Sequence, residues 1–175
     1  MIFRETPLSG AFIIEPSLIE DERGFFARTF DQYEFEAQSL NPCIAQCNIS
    51  FNKKAGTLRG MHYQTAPHEE TKVVRCTMGA VYDVILDLRR ESLTFRQWFA
   101  VELSAQNRLM LYIPKGLAHG FQTLVDDTEV FYQMGTFYQP DAARGVRWDD
   151  PAFKIKWPLP ITLMSDNDRN YARLK

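Results

Sequence analysis

Short apolar runs alternate with turn-forming residues through the middle of the chain. From Ile44 onward, eight runs rich in β-branched and aromatic residues lie at close spacing, at 44–51, 57–64, 71–77, 80–88, 97–103, 109–113, 118–124 and 128–138. Between them there is no long helical pattern of the kind that the connections of a βαβ fold require. The pattern therefore predicts an all-β fold, an antiparallel sandwich or barrel of jelly-roll type with a few short helices.

The ends of the chain add fewer elements. An apolar run at 10–14, and an aromatic pair after the charged turn at 21–24, predict two further strands. An Asp followed three residues later by a Glu has the form of a capping box and predicts a short helix over 31–40. After 138, clusters of Pro and Asp predict loops and single turns packed by tryptophans.

Composition indicates one globular domain over 1–175. Hydrophobic residues make up 45% of the 175 residues, which is enough for a substantial core. The net charge of -2 leaves no basic surplus, which argues against a nucleic-acid partner. No apolar run approaches the roughly 18 residues of a membrane span, and the N-terminus lacks the features of a signal peptide. We therefore expect a cytoplasmic protein with no membrane partner.

The three cysteines do not follow a disulfide or metal-binding pattern. Cys43, Cys47 and Cys76 are odd in number and form no paired CxxC arrangement, which argues against both disulfides and a zinc site. Free Cys is among the residue types most often buried, so we expect all three to pack as small apolar side chains.

The densest group of reactive side chains lies in one predicted strand, where Arg59, Gly60 and His62 stand close together. Imidazole titrates near neutral pH, and the chain has only three His, the others being His68 and His119. Strict alternation would place Arg59 and His62 on opposite faces of the strand. We therefore predict a bulge at Gly60 that turns both side chains into one cavity.

A Pro-x-Gly-x-x-His motif at 114–119 resembles the second motif of the cupins, which are double-stranded β-helix jelly rolls. In metal-binding cupins the first motif supplies two His one residue apart and a carboxylate. Here 62–64 is His-Tyr-Gln, and Glu69 or Glu70 is too distant to complete a site. The ligand count therefore predicts that the chain binds no metal.

Seven short motifs follow one another along the chain, at 23–26, 58–64, 72–75, 79–83, 114–119, 147–151 and 165–169. Their order and spacing, from about residue 3 to 170, resemble one family, the dTDP-4-dehydrorhamnose 3,5-epimerases. Members of that family are metal-free cupins that invert carbons beside the ketone of a nucleotide-linked 4-keto-6-deoxy sugar. The resemblance implies the same activity on a nucleotide-diphospho-sugar, with no cofactor.

The resemblance also implies the roles of individual residues. It places the catalytic base at His62, its carboxylate partner at Asp168 and the proton donor at Tyr132. The ketone and enolate contacts fall on Lys72, His119 and, behind His119, Asp83, and the substrate contacts fall on Arg23, Phe26, Arg28, Gln46, Asn48, Arg59 and Tyr138. The chemistry agrees, because abstraction of a proton beside a ketone needs a base that titrates near neutrality and preorganised donors for the enolate oxygen.

Three positions depart from the family pattern. Arg28 and Ala143 stand where members carry Glu, and Asn167 stands where Lys is common. A charge reversal alters recognition of the group it contacts. A CDP-linked or other deoxy keto-sugar, and inversion at carbon 3 or carbon 5 alone, therefore remain open. So do a metal-dependent cupin and a non-catalytic cupin-like sugar-binding module.

The resemblance implies an assembly as well. Family members are homodimers in which the N-terminal strand of one subunit joins the sheet of the other, and the apolar run before residue 15 is compatible with such a strand.

Overall fold

The computed structural model describes residues 1–174, which form thirteen strands and two short helices. The strands are β1 (Ile2–Glu5), β2 (Phe12–Glu15), β3 (Leu18–Asp21), β4 (Gly24–Ala27), β5 (Gln46–Asn52), β6 (Leu58–Gln64), β7 (Lys72–Met78), β8 (Ala80–Asp87), β9 (Trp98–Ser104), β10 (Met110–Ile113), β11 (Leu117–Thr123), β12 (Thr128–Met134) and β13 (Ala143–Gly145). The helices are α1 (Gln32–Ala37) and α2 (Asp166–Asn170). Neither helix of the described chain is long and apolar enough to span a membrane.

Two antiparallel sheets carry most of the strands. One has six strands in the order β1-β2-β10-β7-β12-β5, the other has five in the order β13-β6-β11-β8-β9, and β3 pairs with β4 as a separate hairpin. Most sheet neighbours are distant in sequence, as the crossing connections of a jelly roll require. The predicted all-β fold is confirmed, and the eight central runs correspond to β5 through β12.

The main core lies between the two sheets. It contains alternate residues of strands from both, among them Val74 and Cys76 of β7 and Ile85 of β8. A second cluster forms where Phe35 of α1 packs against the outer face of the six-stranded sheet. A third forms where Phe153 and its neighbours pack against the five-stranded sheet. Both sheets are therefore held from two sides, which makes a rigid frame for the space between them.

The short elements differ from prediction in their bounds. Helix α1 begins as predicted, with the side chain of Asp31 accepting a hydrogen bond from the backbone of Glu34. It ends by Gln38 rather than at 40, because Ser39 takes a positive φ of 58° that ends the helix. Strand β12 ends at Met134, earlier than the predicted 138. The stretch predicted as loops and turns also contains β13 and α2, a correction with consequences for the site.

The expectation for the cysteines is wrong for two of three. Cys76 is buried in the core between the sheets, whereas Cys43 and Cys47 are exposed. Cys47 lies on β5, at the edge of the six-stranded sheet. Side chains alternate between the two faces of a strand, and the residues on either side of Cys47 face inward. Its side chain therefore points away from the core, and Cys43 lies in the loop before that strand.

Candidate active site

A cavity of about 380 Å³ opens between the sheets beside β6. It is lined by five of the predicted site residues, namely Arg59, His62, Lys72, Tyr138 and Asp168. Residues not predicted for the site line it as well, among them Glu70, Arg144, Ser165 and Tyr171. The contributions come from both sheets and from α2, so tertiary packing assembles this cavity from segments that are far apart in sequence.

Strand β6 carries the predicted bulge. On the neighbouring β11, the partners of His62 and Arg59 are His119 and Phe121, so three steps on β6 match two on β11. Gly60 has a φ of 137°, and the Gly60–Met61 peptide bond is cis. Met61 is fully buried on the outer side, while His62 and Arg59 both line the cavity. The bulge at Gly60 is confirmed, with the effect on side-chain direction that was expected.

His62 is paired with a carboxylate from the C-terminal helix. Its Nε2 lies 2.6 Å from Oδ1 of Asp168, and the other oxygen of Asp168 accepts from the Gly60 backbone N–H at 3.3 Å. With Nε2 donating to the carboxylate, Nδ1 keeps the lone pair that a base needs. A carboxylate in this position can set the tautomer of His62 and stabilise an imidazolium if the ring accepts a proton.

Helix α2 is what aims Asp168. Ser165 is its N-cap and accepts a hydrogen bond from the Asp168 backbone N–H at 3.1 Å, which starts the helix and directs the side chain inward. Asp168 is only 4% exposed. Burial raises the pKa of Asp168, but the hydrogen bonds from His62 and the Gly60 backbone outweigh burial and hold that pKa below its ordinary value. Asp168 is therefore an anion at neutral pH.

His119 forms a second His–carboxylate pair beside the first. It follows the predicted turn, and its Nε2 lies 3.0 Å from both oxygens of Asp83, whose carboxylate is fully buried. His119 is also the cross-strand neighbour of His62. When His119 is protonated, Asp83 holds Nε2–H and Nδ1–H is left as a donor. The predicted support of His119 by Asp83 is present in this structure.

Tyr132 faces this pair from the opposite sheet. It lies on β12 of the six-stranded sheet, packs against the core between the sheets, and its ring meets His119 at 6.2 Å between centroids. Burial, and next the nearby Asp83 carboxylate, raise the pKa of Tyr132 well above its ordinary value. The phenol therefore keeps its proton at physiological pH.

Lys72 is held by a residue that sequence analysis did not assign. Its Nζ lies 2.8 Å from Oε1 of Glu70, and both side chains are less than a tenth exposed. The same ammonium lies 3.5 Å from the carbonyl oxygen of His62. The sequence suggests Glu70 only as a distant metal ligand. In the fold it lies on the cavity wall and holds the Lys72 side chain beside His62.

Arg59 and the polar residues of β5 form another side of the site. The Nε of Arg59 donates to Oδ1 of Asn52 at 2.7 Å, and within residues 1–174 its terminal nitrogens make no hydrogen bond, so they are available to a ligand. Tyr138 lines the cavity, and its backbone N–H donates to Gln46 at 2.9 Å. Asn48 is the cross-strand neighbour of Tyr132. Of these four predicted substrate contacts, Arg59 and Tyr138 line the cavity, whereas Gln46 and Asn48 lie behind it, next to Tyr138 and Tyr132.

The remaining three predicted contacts lie elsewhere in the single chain. Arg23 is exposed and pairs with Asp21, and Arg28 pairs with Asp31 at 2.9 Å. Phe26 is 67% exposed and lines a different cavity, of about 510 Å³, beside the β3–β4 hairpin. Within the described residues of one chain, these side chains do not reach His62.

Several site residues were missed because their signals are weak in sequence. Glu70 and Lys72 are two apart, a spacing that puts both on one face of an extended segment. Tyr171 follows Asp168 by three residues, but only the position of α2 brings it to the cavity. His68 lies in the loop between β6 and β7 and is half-buried. Over residues 1–174, no three His, Cys, Asp or Glu side chains are grouped closely enough to hold a metal ion.

Comparison with known proteins supports the resemblance. The family described as dTDP-4-dehydrorhamnose 3,5-epimerase matches residues 5–175. The enzyme of that name from Shigella flexneri is 43% identical over 167 residues, 95% of this chain and 92% of its own. Its counterpart from Methanothermobacter thermautotrophicus is 40% identical over 99% of this chain and 94% of its own.

A solved structure agrees with this comparison. The 1.63 Å crystal structure of the Bacillus anthracis dTDP-4-dehydrorhamnose 3,5-epimerase, with TDP and PPi bound, is 41% identical and has a TM-score of 0.95 over 99% of both chains. Sequence and structure match along almost the whole length of the chain. The chain belongs to the dTDP-4-dehydrorhamnose 3,5-epimerase family.

Proposed function

We propose that this protein epimerises a dTDP-linked 4-keto-6-deoxyhexose at carbons 3 and 5, converting dTDP-4-dehydro-6-deoxy-D-glucose to dTDP-4-dehydro-L-rhamnose. The observation that carries the proposal is the His62–Asp168 pair at 2.6 Å in a cavity that also contains Lys72 and Arg59. A base, a fixed cation near a ketone and a cation for an anionic group are the parts that this reaction needs.

Inversion requires a base and an acid on opposite faces of the sugar, and the two sheets supply them. His62 comes from β6 of the five-stranded sheet and Tyr132 from β12 of the facing sheet. Nδ1 of His62 takes the proton beside the ketone, and the C–H electron pair becomes the enolate. The Tyr132 hydroxyl then delivers its proton to the other face of the same carbon; the His62 imidazolium releases its proton to solvent, and the Tyr132 phenolate takes one from solvent, which restores both groups.

The enolate oxygen needs donors that are already in place. Lys72 is held by Glu70, and His119 is held by Asp83, so neither has to reorganise as charge develops. Both pairs are buried, where electrostatic interactions are stronger than in water. One oxygen position, between Lys72 and His119, serves both steps if the sugar shifts or turns so that carbon 3 and then carbon 5 meets His62.

Arg59 binds the diphosphate of the substrate. Its terminal nitrogens form the planar fork that pairs with two phosphate oxygens, while Asn52 holds Nε. Gln46, Asn48 and Tyr138 supply polar contacts nearby. The Bacillus anthracis relative binds TDP and PPi, which supports a thymidine nucleotide as the leading substrate group.

We also propose that the protein acts as a homodimer. Arg23, Phe26 and Arg28 can contact substrate only if the β3–β4 hairpin of a second copy reaches this site, since their own hairpin does not. Exposed apolar side chains on that hairpin and on edge strand β5, such as Ile49 at 64%, suit a surface that a second copy covers. Strand β1 pairs with its own β2, and its other edge is open for the predicted strand exchange.

Deuterium exchange tests the activity. The protein is incubated in deuterated water with dTDP- or CDP-linked 4-keto-6-deoxyglucose, and deuterium at each carbon is followed by NMR. We expect incorporation at carbons 3 and 5 of the dTDP sugar. We expect loss of about 10²–10⁴ in rate for His62→Ala and for Tyr132→Phe. Asp168→Asn should fall in the same range, because the amide does not hold the imidazole in the required tautomer.

Each outcome separates the candidates. Exchange at one carbon alone would show a single-carbon epimerase, and preference for the CDP sugar would change the proposed nucleotide. Tight binding with no exchange would leave a sugar-binding module. Activity that is lost with a chelator and restored by a metal would indicate a metal-dependent cupin. Exchange at ordinary rates in His62→Ala would remove the mechanism.

A further inference from the structure

The ring of Tyr171 packs against the catalytic base. Its centroid lies 5.9 Å from that of His62, and the planes of the two rings are inclined at 69°. Tyr171 is half-buried, follows α2 directly and lines the same cavity as His62. The C-terminal segment therefore brings two groups to His62: the carboxylate of Asp168 holds a nitrogen, and the aromatic ring of Tyr171 meets the imidazole itself.

A glycine on the opposite strand makes room for this ring. Gly145 of β13 is the cross-strand neighbour of His62. A Cβ placed on Gly145 would overlap three ring carbons of Tyr171. The ring thus sits directly on the backbone of Gly145, beside His62. The need for glycine here comes from this close approach, because no unusual backbone angle is recorded at Gly145.

One hydrogen bond does not fix the plane of an imidazole. The χ2 torsion of His is broad, so a ring held only at Nε2 can tilt about that nitrogen and swing Nδ1 away from the substrate. An inclined aromatic contact restricts that tilt and adds attraction between the two rings. Asp168 fixes where Nε2 lies, and Tyr171 fixes how the ring is turned.

We propose that Tyr171 is a positioning residue of the reaction, whose ring, seated on Gly145, holds the His62 imidazole in the orientation that abstracts the proton. The inference deepens the proposed function and rests on it for its kinetic part. The orientation of His62 is a property of the protein without substrate and can be measured separately.

Four variants test the contact from both sides. Tyr171→Ala removes the ring, and Tyr171→Phe keeps the ring without the hydroxyl. Gly145→Ala displaces the ring by placing a methyl group where the ring now lies. The double variant Gly145→Ala with Tyr171→Ala has no ring to displace. Tyr33→Ala is the matched control, because Tyr33 is 81% exposed on α1, far from this cavity in the fold.

The expected kinetic result is a loss in kcat rather than in binding. The rate of deuterium exchange at saturating substrate should fall about 10- to 100-fold in Tyr171→Ala and in Gly145→Ala, as a small misplacement of a base does. KM should change by less than about threefold, and Tyr171→Phe should keep kcat within about threefold of the unaltered protein. The double variant should be no worse than Tyr171→Ala, since both changes disturb one contact.

The imidazole signals give an independent result. The chain has only three His, so the ring ¹⁵N resonances of His62 can be assigned by comparison with His62→Ala. Tyr171→Ala and Gly145→Ala should broaden or shift the His62 signals and leave those of His119 in place, while Tyr33→Ala changes neither. Thermal unfolding verifies that each variant is folded. Gly145→Ala probes the same contact if Tyr171→Ala fails to fold.

Two results would overturn the inference. One is a Tyr171→Ala protein with the kcat and the His62 signals of the unaltered chain. The other is a Tyr171→Phe protein as slow as Tyr171→Ala, which would assign the role to the hydroxyl. If the unaltered protein exchanges no deuterium, the proposed function fails instead, and the imidazole signals still decide whether Tyr171 orients His62.

Discussion

Three nitrogen-bearing side chains of the candidate site are each held by a buried carboxylate. The pairs are His62 with Asp168 at 2.6 Å, His119 with Asp83 at 3.0 Å and Lys72 with Glu70 at 2.8 Å. Arg59 is held by the amide of Asn52 instead. The carboxylates can fix the tautomer of each His and the direction of Lys72, whereas the guanidinium of Arg59 has no carboxylate partner among the described residues and is suited to pair with an anion.

Substitution of Glu70 by Gln tests this at the level of one residue. The amide keeps an acceptor near Lys72 but removes the balancing charge, and a buried charge without its partner is costly. We expect a loss of about 1–3 kcal/mol in the free energy of unfolding. We expect a fall of about tenfold or more in exchange rate, measured by denaturant titration and NMR. Glu69→Gln makes the same change in net charge one residue away and is the control, so equal behaviour of the two variants would contradict the assigned role of Glu70.

At the scale of elements, the bulge in β6 decides which side chains share the cavity. An ordinary ladder would send Arg59 and His62 to opposite faces. The extra residue at Gly60 brings both inward, and its backbone N–H also reaches Asp168. Close approach to β11 is part of this arrangement, because a Cβ on Gly60 would lie 2.5 Å from the Cα of Gly120.

Gly60→Ala and Gly24→Ala distinguish the two reasons for glycine at position 60, which are its positive φ and its close approach to β11. Both residues have a positive φ, 137° and 126°, so both alanines pay for an unfavourable backbone angle. Of the two, only Gly60 has other backbone atoms where an added Cβ would lie, since nothing lies within 4 Å of a Cβ on Gly24. We expect Gly60→Ala to lower the free energy of unfolding by about 1–3 kcal/mol more than Gly24→Ala does. Equal losses on denaturant titration would show that the close approach to β11 is unimportant.

For the whole molecule, the proposed homodimer has a consequence for the site. If the hairpin of one subunit serves the cavity of its partner, an active centre contains residues of two chains. A substitution in the hairpin then affects the active centre of the partner subunit, whereas a substitution at His62 affects the centre of its own subunit. A mixed dimer would have one centre with both defects and one with neither.

Mixed dimers can be produced by co-expression with two different tags. Arg23→Ala combined with Phe26→Ala, and His62→Ala, should each be inactive as homodimers. The mixed dimer should regain exchange at one of its two sites, because that site takes His62 from one chain and the hairpin from the other. Recovery is measured by NMR after purification on both tags. A mixed dimer as inactive as its parents would show that each hairpin serves its own chain, and a monomer in solution would remove the homodimer altogether.

Local pattern alone was enough to predict much of this protein. The eight central strands follow from their own alternation and punctuation, because a strand is specified by the residues it contains and the turns that bound it. The bulge at Gly60 followed from counting the residues between Arg59 and His62, and the start of α1 from its Asp cap. Motif spacing identified the family, which the matches confirm.

Tertiary structure alone decided what surrounds His62. Strand β13 is three residues long and α2 five, too short for a periodic pattern, and each exists because it packs against β6. Their packing brings Asp168 and Tyr171 to His62, and the fold also brings Glu70 to Lys72. Motif spacing predicted that His62 and Asp168 form a pair, because the family resemblance assigns both positions, and the two side chains do meet. Orientation depends on contacts between segments more than a hundred residues apart, and only the folded chain contains those contacts.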